Sequence, residues 1–349
     1  MAGENNESEE QQSLSTDLLD NMTTSSPPPD WRAHLDAIAS QGKAAALQVP
    51  VPYHETLRKK LSIIATETCI WLGEATSIFE QGIAEKHSPF VHDMETMPSQ
   101  LIDAEARERA TMTAEVPARL AAAAIATYID NLSLMVRSSA TALPLEVITR
   151  SIVETSGLVY WLLDVDISGE KRLIRALLLM YKSAFETEAV ATAQGMLGQG
   201  YTTPAFVRDR IDLYGFDWKL QPGSNANPIL IDGEKLPPYT QRAKAVLSAV
   251  GVSESTYKMY SGTVHGEIFG ILGMYTNPRQ IGGKRIQFEQ FRIGAAWSAV
   301  ALAVGLGLCC RDLIRNHRGI PTVAEQDGKL LLDRLAKIKP TQEDIAAQG

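Results

Sequence analysis

Residues 145–163 read LEVITRSIVETSGLVYWLL, and this stretch decides the fold. Its apolar side chains recur at the three- and four-residue spacing of a helix. Pro144 stands at the start, where the missing N–H of a first helical residue removes no intrahelical hydrogen bond. The segment ends near Asp164 and Asp166. The pattern predicts a strongly apolar helix in the middle of the chain.

Helical periodicity also covers most of the remaining chain. Further helices are predicted at residues 54–82, 102–140 with a kink near Pro117, 169–196, 240–249, 254–274, 285–316 and 324–337. Residues 87–99 contain Pro89 and Pro98 and are predicted to form a loop, and residues 277–283 are predicted to form a turn.

The longest irregular segment spans about residues 197–240 and contains five prolines. It includes a predicted short helix at 204–213 and a two-stranded ribbon near Ile229–Ile231. Loops of this length inside a compact domain are often functional. Because strands and helices do not alternate along the chain, we predict an all-α multi-helix bundle with this one long loop.

The acidic charge of the protein is concentrated at its N-terminus. Residues 1–30 hold seven of the 41 Asp and Glu side chains, carry no Lys or Arg, and predict a disordered tail. The other residues carry 33 basic and 34 acidic side chains, which excludes a domain-wide basic field but allows a local positive patch. We expect one helical domain at 31–340, with N-terminal helices (31–140) and a core bundle (141–340), before a polar end at 341–349.

Composition favours a cytoplasmic protein. The N-terminus has neither a basic start nor an apolar stretch, so no secretory signal is predicted. Cys69, Cys309 and Cys310 are too few for a disulfide framework and suit a reducing compartment. Residues 293–310 run eighteen positions without a charge, which reaches the length of a membrane span. Their glycines and alanines favour a closely packed core helix instead, and no membrane contact is predicted.

The sequence contains no familiar cofactor or metal motif. It lacks a Gly-x-x-x-x-Gly-Lys loop, a Gly-x-Gly-x-x-Gly turn, a His-Glu-x-x-His pair and a Gly-x-Ser-x-Gly elbow. His87, His92 and Asp93 lie close together, but their five-residue step and Pro89 deny them a shared helical face. We interpret them as part of a solvated loop and expect neither a metal nor a cofactor.

Arg150, Glu154 and Trp161 share one face of the central helix, at positions i, i+4 and i+11. Charged side chains on a mainly apolar helix need partners, and Arg150 and Glu154 can satisfy each other. Two interpretations stay open: a salt bridge that fixes helix packing, or part of a ligand-binding site.

Tyr257, Ser261 and His265 recur every four residues and place a phenol, a hydroxyl and an imidazole on one helix face. Ser261 and His265 are the residue types of a nucleophile and its base, but an orienting acid and an oxyanion hole do not follow from spacing. His265 is equally explained as a core histidine. Together with Tyr260, these side chains are candidate ligand-binding residues.

A basic cluster of Arg311, Arg315 and Arg318 ends the long C-terminal helix, where the helix dipole alone favours cations. Arg311, followed by polar Asp312, four further residues and His317, resembles the motif of the HEPN superfamily of helical ribonucleases and toxins. The resemblance implies metal-independent RNA cleavage. His317 would then be the general acid and base, Arg311 would stabilise the phosphoryl charge, and Asp312 would orient them.

A second resemblance covers about residues 145–310. The segments RSIVE (150–154), WLLD (161–164), YS (260–261) and HG (265–266) look like parts of a family of uncharacterised bacterial all-helical proteins. Members of that family are similar in outline to HEPN-type bundles, and no reaction is assigned to them.

Three functional hypotheses follow from these patterns. The first is a HEPN-like endoribonuclease or defence or stress toxin, acting as a homodimer, whose exposed Arg311–His317 pair contacts RNA at the Arg311–Arg318 helix end. The second is a non-catalytic helical protein whose ligand-binding candidates converge on one cavity and hold a small ligand or a partner protein. The third is an interaction scaffold in which every constellation is a packing feature.

Overall fold

The structure, a computed structural model of the protein, describes residues 52–101, 103–138, 142–193, 202–224, 228–264, 275–281, 284–289, 293–321 and 325–341. The tail predicted at 1–30 and the polar end predicted from 341 lie outside these ranges, apart from Thr341. Residues 53–279 and 285–349 form one compact unit, and the site lies within it. Residues 1–52 and 280–284 are assigned to a second unit.

Ten helices and four short strands lie within the described residues, so the all-α class is confirmed. The helices are α1 (Pro52–Gln81), α2 (Pro89–Glu95), α3 (Ala104–Arg137), α4 (Ala142–Leu162), α5 (Gly169–Ala193), α6 (Pro204–Leu213), α7 (Tyr239–Ala249), α8 (Glu254–Val264), α9 (Ile293–His317) and α10 (Glu325–Lys337). The strands are β1 (Trp218–Leu220), β2 (Ile229–Ile231), β3 (Tyr275–Ile281) and β4 (Lys284–Glu289).

The predicted apolar helix, α4, lies at the centre of the compact unit. It packs against α3, α7, α8 and α9 and makes a smaller contact with α5. Ile152, Val153, Val159 and Leu162 on this helix are completely buried. Neighbours on several sides explain why α4 lacks the polar face of an ordinary surface helix.

The helix α9 contributes its apolar side chains to the main core. Of the described helices, α9 alone is long and apolar enough to cross a membrane, by length and composition. Of its most apolar stretch of 18 residues, 56% is buried inside the protein. At Gly307, an added Cβ would lie 2.7 Å from Thr68 Cγ2 and 3.2 Å from Ile129 Cδ1. The small residue thus permits close approach of α1 and α3, as expected for a closely packed core helix.

A second apolar cluster lies where α5, α6 and the β1–β2 ribbon meet, and it includes Leu177, Ile211 and Ile231. The α6 helix begins after Thr203, whose hydroxyl accepts a hydrogen bond from the Phe206 N–H at 3.2 Å. Strands β1 and β2 pair antiparallel. The short helix and the ribbon predicted inside the long irregular segment are therefore confirmed.

The loop predicted at 87–99 is wrong, because α2 occupies the middle of it. The Ser88 hydroxyl caps this helix by accepting a hydrogen bond from the Val91 N–H at 3.3 Å. Pro89 is in the first turn, where proline starts a helix rather than breaking one.

The helix predicted at 285–316 begins too early. Residues 284–289 form β4, which pairs with β3 in a two-stranded sheet, and the helix starts at Ile293. The β3 strand also replaces most of the turn predicted at 277–283. The structure describes the helix predicted at 254–274 only as far as Val264, where α8 ends.

The backbones of α4 and α7 approach each other closely at Gly157. A Cβ at this position would lie 2.9 Å from both the carbonyl carbon and the carbonyl oxygen of Arg242, and 3.2 Å from the Ala243 nitrogen. Backbone atoms cannot give way as a flexible side chain does, so only glycine fits here without displacing α7.

We expect Gly157→Ala to lower the free energy of unfolding by about 1–3 kcal/mol, the usual cost of forcing one methyl group into a packed interior. Gly73→Ala in α1 is the matched control, because nothing lies within 4 Å of its added Cβ. That substitution should raise stability by up to about 1 kcal/mol through helix propensity. Urea unfolding measures both, and equal stability of the two variants would contradict the close approach.

Candidate functional site

The predicted Arg150–Glu154 pair forms, and α8 adds a third member to it. Glu154 Oε1 accepts hydrogen bonds from Arg150 Nε at 2.7 Å and from the Tyr257 hydroxyl at 2.8 Å. The Arg150 guanidinium also lies 5.9 Å from the centre of the Tyr257 ring. The four-residue spacings on α4 and α8 thus place these three side chains in one group.

Burial and hydrogen bonding set the charge states in this group. Burial opposes the charge of Arg150, but the hydrogen bond and Coulomb attraction of Glu154 outweigh it and raise the pKa of Arg150. Burial, together with the same carboxylate, raises the pKa of Tyr257. Arg150 is therefore firmly cationic, and Tyr257 is a neutral phenol that donates to Glu154.

A cavity of about 520 Å³ opens beside this group. Four segments line it: α4, α5, α8, and the start of α7 with the loop before it. Its lining residues are Arg150, Lys182, Leu236, Pro237, Pro238, Tyr239, Thr240, Arg242, Tyr257 and Ser261. Apolar walls with a few polar groups from several elements are typical of small-molecule sites, and the volume lies in their usual range.

Arg242 is the most deeply buried cation of this lining, with 3% of the residue exposed. Its guanidinium lies 4.8 Å from the centre of the Tyr239 ring. Neither its Nε nor its Nη1 has a hydrogen-bond partner among the described residues, and the same is true of Arg150 Nη1. Burial lowers the pKa of Arg242, although a guanidinium keeps its proton in proteins.

The helix α7 begins at this cavity without a side-chain cap. Its N-cap residue is Pro238, which makes no side-chain cap hydrogen bond. The backbone N–H groups of Gln241 and Arg242 bond to the Pro238 carbonyl at 3.0 and 3.2 Å. Tyr239 and Thr240, the first two helical residues, line the cavity.

Other ligand-binding candidates from the sequence are placed differently. Trp161 does not line this cavity. The Arg175 guanidinium lies over the Trp161 ring, 5.0 Å from the ring centre, and Arg175 Nη1 donates a hydrogen bond to the Trp161 carbonyl at 2.5 Å. The side chain of Tyr260 and all of His265 lie outside the described residues. The structure therefore brings together Arg150, Glu154 and Tyr257, with Ser261 on the same cavity.

Arg242 is the site residue that the sequence patterns missed. It precedes buried Val246 by four positions on α7, so it occupies the apolar face of that helix. An arginine at such a position is unusual and was a visible signal. Its proximity to Glu154 depends on the contact at Gly157, which no local spacing reveals.

His317 lies in a buried ionic cluster, where only 2% of the residue is exposed. Its Nε2 is 3.0 Å from Glu115 Oε1, at ion-pair distance but without hydrogen-bond alignment, and 3.8 Å from Asp93 Oδ2. Arg318 Nη2 pairs with Glu115, and Arg172 Nε pairs with Asp93 at 2.7 Å. Two arginines thus balance two carboxylates around the imidazole.

The structure corrects two expectations about this cluster. Asp93, predicted in a solvated loop, is 1% exposed, because its face of α2 packs against other helices, whereas His92 on the same helix is exposed. The prediction that Arg311 and His317 form an exposed pair is also wrong. Arg311 is 5% exposed, and its guanidinium lies 5.4 Å from the centre of the Trp71 ring on α1. Arg311 also bonds through Nε and Nη2 to Asp312 Oδ1, at 3.1 and 3.0 Å.

Among the residues whose structure is described, no group of three His, Cys, Asp or Glu side chains has the arrangement of a metal site. Comparison with protein-family models, with curated proteins and with solved structures finds no match. The fold and the site together define an all-helical protein with a ligand-sized cavity between α4, α5, α7 and α8.

We expect Arg318→Met to lower the free energy of unfolding by about 3–5 kcal/mol, since it leaves the buried Glu115 carboxylate without its main partner. Arg109→Met is the control, because Arg109 pairs with Glu105 on the exposed surface of α3, where the loss should stay below about 1 kcal/mol. Guanidinium unfolding compares the variants, and equal losses would contradict a structural role for the cluster.

Proposed function

We propose that this protein binds a small organic ligand in the cavity lined by α4, α5, α7 and α8. The observation that carries the proposal is the convergence of polar side chains from four separate segments on one cavity of about 520 Å³. The polar group is held in place by the shared Glu154 carboxylate, which suits a preorganised site.

RNA cleavage by Arg311 and His317, with Asp312 in support, stays a prediction. A general acid or base must come within hydrogen-bond reach of its substrate, and both Arg311 and His317 are buried against other helices. The predicted homodimer and cytoplasmic location likewise stay predictions. Ligand binding is the function that the geometry supports best.

Thermal-shift screening of the full chain against a library of small metabolites tests the proposal. A ligand present at 100 times its Kd stabilises the folded state by about 2.7 kcal/mol, which raises the melting temperature measurably. Thr240→Trp should abolish the shift, because Thr240 is exposed at the rim of the cavity and an indole there would occupy it.

Gln241→Trp is the matched control, since Gln241 is exposed on the same helix but does not line the cavity. It should retain every stabilising ligand at near wild-type affinity. Compounds that stabilise Thr240→Trp as well as the wild type would bind elsewhere and would overturn the assignment of this cavity, as would a library without any stabilising compound.

A further inference from the structure

We infer that the ligand of this cavity carries a carboxylate, which binds at Arg242 and the N-terminus of α7. The inference rests on the proposed function and specifies the chemical class of the ligand that the same cavity binds. Three observations support it: unpartnered guanidinium nitrogens, an uncapped helix start, and the balance of charge around the cavity.

The unpartnered nitrogens belong to Arg242 and Arg150. Arg242 is nine-tenths buried or more, lines the cavity, and has no described partner for Nε or Nη1. Arg150 Nη1 is likewise buried and has no hydrogen-bond partner among the described residues. Buried N–H donors without acceptors are unfavourable, and a bound oxyanion supplies acceptors that form short, charge-assisted hydrogen bonds with guanidinium groups.

The start of α7 adds a second attraction for an anion. The first backbone N–H groups of a helix lack intrahelical acceptors and carry the positive end of the helix dipole. Here the N-cap is Pro238, which offers no side-chain acceptor. Tyr239 and Thr240, the first two residues of the helix, line the cavity, and Arg242, another lining residue, follows within one turn.

The charge balance favours a singly charged group. Arg150 is paired with Glu154, and Lys182 is paired with Glu186 at 2.8 Å. Arg242 makes no ion pair with any described residue. The lining and its partners therefore carry one surplus positive charge, which matches a carboxylate better than the nearly dianionic phosphate monoester.

The remaining lining indicates the rest of the ligand. Leu236, Pro237 and the ring of Tyr257 form apolar walls, and the Ser261 hydroxyl adds a neutral polar group. A ligand with an apolar body and one carboxylate satisfies both parts of this surface.

Matched probes that share a body and differ in the head group test this inference. Benzoate, benzamide, benzylamine and phenyl phosphate form one set, and hexanoate, hexanamide, hexylamine and hexyl phosphate form another. Each is titrated against the full chain by calorimetry at fixed ionic strength. We expect the carboxylate of a set to bind about 10- to 100-fold more tightly than its amide, the ratio expected from charge-assisted hydrogen bonds.

Arg242→Gln should weaken carboxylate binding by the same factor and change amide binding less than threefold. Arg334→Gln is the control, because Arg334 pairs with Glu67 on α1 and does not line the cavity. Circular dichroism verifies folding, and Arg242→Lys replaces the glutamine variant if that one unfolds. Lysine keeps the charge but lacks the guanidinium donors, so it should weaken carboxylate binding partially.

Each outcome separates the two proposals. Amide binding as tight as carboxylate binding, abolished by Thr240→Trp, would overturn the carboxylate and leave ligand binding in the cavity intact. Tighter binding of the phosphate probe than of the carboxylate probe would show that the site prefers a dianion, and would overturn the inference of a carboxylate. Binding of no probe, combined with no stabilising compound in the metabolite screen, would overturn ligand binding itself.

Discussion

The close approach of α4 and α7 at Gly157 is the constraint on which the candidate site depends. Because no side chain separates the helices, the backbone of Arg242 lies against the central helix one turn beyond Glu154. The same helix places Arg150 and Glu154 opposite Tyr257 on α8. One glycine therefore brings the backbone of Arg242 against the helix that carries Arg150 and Glu154, and packing of the core and arrangement of the polar group cannot vary independently.

The polar interior of this protein is divided between two clusters with different properties. Around His317, two carboxylates and two arginines compensate each other, which is how a fold makes buried charge tolerable. Around Arg242, three guanidinium nitrogens, Arg242 Nε, Arg242 Nη1 and Arg150 Nη1, have no hydrogen-bond partner among the described residues. Both clusters contain titratable residues in a low-dielectric setting, and the His317 cluster also holds buried atoms without a described hydrogen-bond partner: Glu115 Oε1, His317 Nε2 and Arg318 Nε. The group around Arg242 lines a cavity. Unsatisfied donors beside a cavity, rather than unsatisfied atoms alone, favour a binding surface over a purely structural cluster.

Local signals account for what the sequence predicted well. Pro144 and the apolar run mark α4, and Thr203 before Pro204 marks α6. The seven-residue α2 was missed because it is too short to show a period, although Ser88 and Pro89 are helix-start residues. Arg150, Glu154 and Tyr257 were found as separate helical spacings. Their meeting with Arg242, like the pairing of Asp93 with Arg172 79 residues away, depends on tertiary contacts that no local pattern contains.

The ion pair between Glu115 and Arg318 also has a consequence for synthesis of the chain. These residues are 203 positions apart, so at ordinary translation rates about 10–40 s separate the addition of Glu115 from that of its partner. During that interval α3 cannot bury this carboxylate with its native compensation. The nascent protein keeps the part of α3 around Glu115 hydrated, and its interior closes there only after the end of α9 has left the ribosome.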